Sequence, residues 1–497
     1  MRALLLALQV LAFAPLGGLL LRVWTKGGYV SGGDGLLVVD QMQYLNGLRQ
    51  AGDQLLIENL YDLAPGPRTF LHPGLALSGA LHALGVGTIA GYLVWKPVAV
   101  LALWAGAITW CARFLAPGRR RTAAVCLALF FASPLAALVG QTGLGGPSLK
   151  IDFDFLSGEL TSGNYLWGYP FTAIAVGLMP LGLIAYERRR HAWAAAAGLL
   201  IAWLQPWQGA TYLLVVLGAQ AVLWRRRGER PGAATALVAA AAVAPLAYYL
   251  VLSKADPSWE QARLANDFGT WPAWVTVVGL APLVLPALSG LRGGAEDFGQ
   301  LALRLWPVAA LVVYLQPFGT FPAHAFQGMT LPLVTLAFLG VGARWRSWAV
   351  LAALAVLIVP GTVYRVDALR QAVNLGRQPY FLTDGEHAAL RWLGRAPAAG
   401  GVLAPVYTGL LVPAYTQRET WVGTGSWTPD YDARLRRAER LFAGRASRTE
   451  AEALVRGSRA RFLLSDCHGR ADIGALVRGV AGRPRRFGCA TVWEVLR

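Results

Sequence analysis

Residues 32–53 read "GGDGLLVVDQMQYLNGLRQAGD" and follow closely on the first apolar run of the chain, residues 3–23. They place Asp34, Asp40 and Asp53 where the chain leaves a stretch long enough to cross a bilayer. From Leu36 onward, Met42, Leu45 and Leu48 recur at helical spacing, while Asp40, Gln43, Asn46 and Gln50 fall elsewhere. That pattern predicts a short amphipathic helix at a membrane surface. Asp40 opens it. An aspartate there is either an N-cap or, at a membrane–water interface, a general base for a hydroxyl group. Asp53 reads as a solvated carboxylate.

The rest of the chain sets this helix in a membrane protein. Of 497 residues, 55% are hydrophobic and 14% charged, and mean hydropathy is +0.45. That is too apolar and too charge-poor for a soluble enzyme. Apolar runs predict a polytopic α-helical protein with about eleven transmembrane helices. They fall at 3–23, 88–114, 122–140, 166–186, 192–206, 208–224, 233–252, 272–291, 303–317, 327–343 and 347–364. The first is expected to be an uncleaved transmembrane helix. The fifth and sixth are short and joined at "LQPWQG", as in a hairpin of broken helices. Residues 71–87 are too glycine-rich to span and are expected to be interfacial or re-entrant.

The formal charge of +18 does not indicate nucleic acid. Many arginines sit in short clusters between apolar runs: Arg119–Arg121, Arg188–Arg190, Arg225–Arg227, Arg344 and Arg346. That is the signature of cytoplasmic loops. It predicts a multi-pass protein of the cell membrane with a cytoplasmic N-terminus and outward loops at 24–87, 141–165, 253–271 and 317–326. The domains expected are a transmembrane one over 1–364 and an extracytoplasmic α/β one over 365–497. In the latter, "TDGEHAALRWLGRA" predicts a helix capped by Thr383 with Glu386 three residues on. "PDYDARLRRAERLFAG" and "RTEAEALVRG" predict two more helices. "GVLAPVYTGLLVPAY", "RFLLSD" and "CATVWEVL" predict strands. Outside the cytoplasm, Cys467 and Cys489 could form a disulfide; Cys111 and Cys126 fit an apolar core.

The outward loops concentrate the acidic residues and the other groups able to do chemistry. "IENLYDLAPGPRTFLHPG" offers Arg68 and His72, the histidine as a phosphate or sugar ligand or as a residue ordering a turn. Asp152 and Asp154 form a D-x-D, read as a metal-holding pair or as an exposed polar edge. Glu159 and Asn164 follow, and "QPFGTFPAHAFQGM" adds His324 and Gln327.

"DQMQYLNGLRQAGD", "ENLYD" followed by "HPG", "GELTSGNYLWGYPF" and "FQGMTLPLVTLAFLGV" occur in an order that resembles the GT-C superfamily of integral-membrane glycosyltransferases. The likeness is to its bacterial mannosyl- and arabinosyltransferase-like members. The C-terminal region resembles the outer domain of some of them. The resemblance implies a polyprenyl-phosphate sugar donor, an acceptor such as a cell-envelope glycan on the outer face, contact with membrane lipids, and inversion at the sugar. It implies that the catalytic acid after the first span is Asp40, with Asp34 second. Relatives often carry an adjacent acidic pair, whereas Gln41 follows Asp40 here. The second loop carboxylate would be Asp152, Asp154 or Glu159, and Arg68, His72, Lys150 and His324 could meet the donor phosphate. GT-C members differ in metal use, which leaves room for a divalent cation. The rival reading is a lipid or sugar transporter or flippase. It calls for ionisable groups near mid-membrane; Lys96 and Arg304 are the charges set in apolar runs, and both are expected to snorkel.

Overall fold

The computed structural model describes residues 2–64, 66–267, 269–316, 320–340 and 347–496. Among them, 8 helices are long and apolar enough to cross a membrane, or 9 if the bent pair Arg119–Phe130 and Pro134–Thr142 counts as one span. Two shorter apolar helices, His191–Leu204 and Thr330–Gly340, accompany them. Every predicted apolar run has its helix, and the protein is a multi-pass helical membrane protein. Arg344, Arg346 and residues 317–319 of the expected outer loop lie outside the described residues.

Fewer helices than runs reach span length, and proline accounts for much of this. The run at 122–140 breaks after Phe130 and bends by 41°. Pro134 has no N–H to continue a helix, and Ser133 restarts one by accepting from the Ala136 N–H at 3.3 Å. The hairpin at "LQPWQG" breaks where expected, with Gln205 extended and Pro206 opening the next helix. That second arm, Pro206–Arg227, is longer than expected because it runs on through three arginines to 22 residues.

Contacts divide the chain into two compact units. One contains Met1–Ala14, Trp95–Val251 and Asp267–Arg370; the other contains Pro15–Val94, Leu252–Asn266 and Gln371–Arg497. In the first, Pro170–Glu187 packs on both Trp95–Phe114 and His191–Leu204. Gly106 and Gly177 permit the closest approach, since a Cβ on either would meet the other helix's main chain. Lys96 does not snorkel. It is 2% exposed, and its ammonium donates to the Ala12 and Leu166 carbonyls at 2.8 and 2.9 Å, which offsets the cost of burying it. Arg304 does reach outward, to the Gly293 carbonyl at 2.7 Å.

In the second unit, Val38–Asp53 packs on Pro73–Ala83 and Val412–Thr416. A four-stranded sheet has the order Val402–Leu403, Phe462–Ser465, Ala490–Glu494, Arg485–Phe487. Its first pair is parallel and the others antiparallel. Leu403, Leu441, Val455 and Leu463 fill its core. The helices Asp384–Leu393 and Arg448–Ser458 begin with capping boxes, Thr383 with Glu386 and Ser447 with Glu450. The run at 401–415, expected as a strand, is one only at Val402–Leu403. Pro405 and Pro413 cannot donate to a ladder, and short helices, Val406–Gly409 and Val412–Thr416, replace it. The sulfurs of Cys467 and Cys489 are bonded at 2.07 Å.

Candidate functional site

Each unit holds a group of polar side chains of the kind a site is built from. In the second unit the group centres on the helix Val38–Asp53. Its apolar stripe is fully removed from solvent, with Val38, Met42 and Leu48 at 0% exposure. Much of its polar face is buried as well, so it is an internal helix rather than one lying on a surface. Gln50 donates to the Asn46 side chain and to the Glu58 carbonyl, both at 3.1 Å.

Asp40 is not the helix cap. Leu37 occupies the N-cap position and makes no side-chain cap bond, so Asp40 stands in the first turn. A carboxylate there is favoured by the helix dipole. It is half-buried and accepts from the Gln43 amide at 3.2 Å. The Gln43 carbonyl oxygen in turn accepts from the Trp427 indole N–H at 2.6 Å. Burial, and secondarily the Asp40 charge, push the phenols of Tyr44 and Tyr61 well up, so both stay neutral donors. Trp427 packs edge-on against Trp259 at 5.1 Å, and Trp259 against Phe70 at 4.7 Å. Asn59 holds the Trp427 carbonyl at 2.8 Å.

Asp34 is completely buried. Gln41 clamps the loop there. Its side-chain oxygen accepts from the Asp34 N–H at 2.9 Å, and its amide donates to the Asp34 carbonyl. His72 caps Pro73–Ala83 by accepting from the Leu75 N–H at 3.3 Å. Burial drives its pKa down to about 3, so the ring is neutral. Arg68 pairs with Glu58 at 2.5 Å.

In the first unit the helix Gly146–Leu160 carries the second set. Asp152 and Asp154 lie on it two residues apart, so their side chains diverge around the helix and cannot grip one ion as an extended D-x-D would. Asp152 is not drawn into the cluster; partial burial raises its pKa. Asp154 accepts from the Tyr364 hydroxyl at 2.7 and 2.9 Å, and its carbonyl accepts from Arg365 at 2.7 Å. The Arg365 Nε is buried with no partner among the described residues. Asn164 donates to the Gly158 carbonyl at 3.3 Å.

Glu159, His324 and Gln327, far apart in sequence, meet. Glu159 accepts from the Gln327 amide at 2.7 Å and lies 3.0 Å from the His324 Nδ1. The broken hairpin supports them. Gln205 donates to the Gln327 side-chain oxygen at 2.8 Å, and Gln208 to the His324 carbonyl at 2.9 Å. Trp207 packs edge-on against the His324 ring at 4.8 Å.

Sequence reasoning missed Gln43, Gln205, Gln208, Tyr364, Arg365 and Trp427. For Gln205, Gln208 and Arg365 a signal existed: strongly polar residues in or beside apolar runs. No three His, Cys, Asp or Glu side chains among the described residues are grouped to hold a metal ion.

No protein-family model matches the sequence, and no curated protein matches it. Solved structures do match in fold. Oligosaccharyltransferase AglB from Archaeoglobus fulgidus, in complex with an inhibitory peptide and a dolichol-phosphate, is similar over 97% of this chain and 72% of its own, at 12% identity and a TM-score of 0.51. The oligosaccharyltransferase of the same organism with Zn and sulfate is similar over 97% and 71%, at 13% identity and a TM-score of 0.50. ArnT from Cupriavidus metallidurans in the apo state is similar over 94% of this chain and 93% of its own, at 12% identity and a TM-score of 0.50. The chain thus shares the fold of AglB and ArnT.

Proposed function

We propose that this protein is a membrane glycosyltransferase that moves a sugar from a polyprenyl-phosphate donor to an acceptor hydroxyl, with Asp40 as general base. Beyond the shared fold, one observation carries the assignment. Asp40 stands half-buried in the first turn of its helix, held by an amide and not spent as a cap. Asp34, by contrast, is sealed from any acceptor. The acceptor oxygen loses its proton to Asp40 as it bonds to the anomeric carbon. The bond from that carbon to the phosphate oxygen breaks, its electron pair leaves with the polyprenyl phosphate, and a single displacement inverts the centre. The half-buried Phe70, Trp259 and Trp427 suit a sugar acceptor, which stacks on aromatic faces. The arginine clusters orient the protein with its N-terminus in the cytoplasm and residues 365–497 outside.

A transporter draws support from one observation, the buried Lys96. Its two carbonyl acceptors give that ammonium a structural role. Proteoliposomes given a radiolabelled polyprenyl-phosphate sugar and a cell-envelope glycan separate the readings. New glycosidic bonds are expected. Sugar-lipid crossing the bilayer with no bond formed would replace the transferase by the transporter.

A further inference from the structure

An apolar cavity of about 130 Å³ opens in the first unit among the helices Arg119–Phe130, Ala273–Leu288, Thr330–Gly340 and Ser347–Leu375. Leu127, Pro286, Val334, Ala353 and Leu357 are among its walls, and Arg120 is the one charged residue lining it among the described residues. The Arg120 guanidinium donates to the Phe338 carbonyl, which fixes it at the rim. Arg119 and Arg121 flank it in the first turn of that helix, which follows Gly118 and has no acidic residue in that turn and no side-chain cap. Along the outer wall, Leu351 and Val356 are 66% and 57% exposed, as expected for a helix bathed in lipid.

An apolar slot with Arg120 in its wall fits neither a soluble anion nor a neutral hydrocarbon. It is complementary to an amphiphile with an anionic head, and basic clusters beside transmembrane helices recruit anionic phospholipids. We infer that this groove is a binding site for an anionic glycerophospholipid, with the phosphate at Arg120 and the first few carbons of one acyl chain between the helices. The inference rests on the function proposed above only for orientation. On that orientation the arginine rim faces the cytoplasm, whereas the donor is used on the outer face. Lipid binding is read without turnover, so either reading can fail alone.

The test is native mass spectrometry of the full chain released from nanodiscs of equal phosphatidylglycerol and phosphatidylcholine. The wild type is expected to retain phosphatidylglycerol in preference. Arg120→Gln should cut that preference about fivefold, the effect of one basic residue near a membrane surface. Ala353→Trp, which fills the groove, should remove the retained lipid while thermal unfolding is unchanged. Equal retention of the two lipids by the wild type would overturn the proposal without reference to any variant. So would wild-type binding in both variants. Displacement of phosphatidylglycerol by added undecaprenyl phosphate, with loss of that displacement in Ala353→Trp, would reassign the groove to the donor's tail.

Discussion

The acids Asp40 and Glu159 lie in different units and are used differently. Glu159 is 7% exposed and meets two side chains, Gln327 and His324, which are themselves held by Gln205 and Gln208. Asp40 is half-buried, in a helix's first turn, and accepts from the Gln43 amide, which also answers to Trp427. A carboxylate embedded in a buried network stabilises the fold, because each of its donors would be stranded without it. A half-buried carboxylate in a helix's first turn is stabilised as the anion by the helix dipole and keeps part of its surface exposed. Chemical type and position near a membrane boundary do not separate these roles; depth of burial does.

That contrast can be broken by stability measurements. Glu159→Ala strands the Gln327 amide and the His324 ring, and should lower unfolding stability in detergent by about 3 kcal/mol. Asp40→Ala should change it by less than about 1 kcal/mol. If the two variants unfold alike, the division of roles is wrong. His72 belongs with the structural group. Its pKa falls from the usual 6.5 to about 3 in the folded protein. The unfolded chain therefore binds the extra proton between those values, and stability is full above pH 6.5 and is lost as pH falls below it. From pH 6.5 to 5 that loss should reach about 2 kcal/mol. His72→Asn, which keeps a capping oxygen, should flatten the acid limb of the melting profile; an unchanged limb would assign the acid sensitivity elsewhere. The smallest effect is expected at Gln43. Gln43→Ala frees Asp40 and Trp427 from each other and should lower turnover about tenfold, roughly 1.4 kcal/mol, with thermal stability retained. Turnover equal to wild type would show that the amide does not position the base.

Much of this was open to the sequence. Hydropathy located every apolar helix, and the capping signals at Thr383 and the predicted strand at Phe462–Ser465 hold in the structure. Proline marks the hairpin break at Pro206, but the run at 122–140 read as one span and breaks at Pro134, and the β-like run becomes short helices around Pro405 and Pro413. Glu159, His324 and Gln327 were identifiable as polar groups in outward loops, though not as one cluster, because pairings across 165 and 168 residues leave no local pattern. The D-x-D misleads for a physical reason: its spacing presents two ligands together only on an extended chain, and Gly146–Leu160 is helical. Gln43 was unremarkable in sequence because its meaning lies in Trp427, 384 residues away.

The most direct test of the central claim is turnover by Asp40→Asn with a polyprenyl-phosphate sugar and its acceptor, read as new glycosidic bond by mass spectrometry. Asparagine keeps the shape and the hydrogen bond but cannot take a proton. A loss of about a thousandfold, within the range a positioned general base supplies, with an unchanged melting profile, is the predicted result. Turnover within tenfold of wild type would contradict Asp40 as the base.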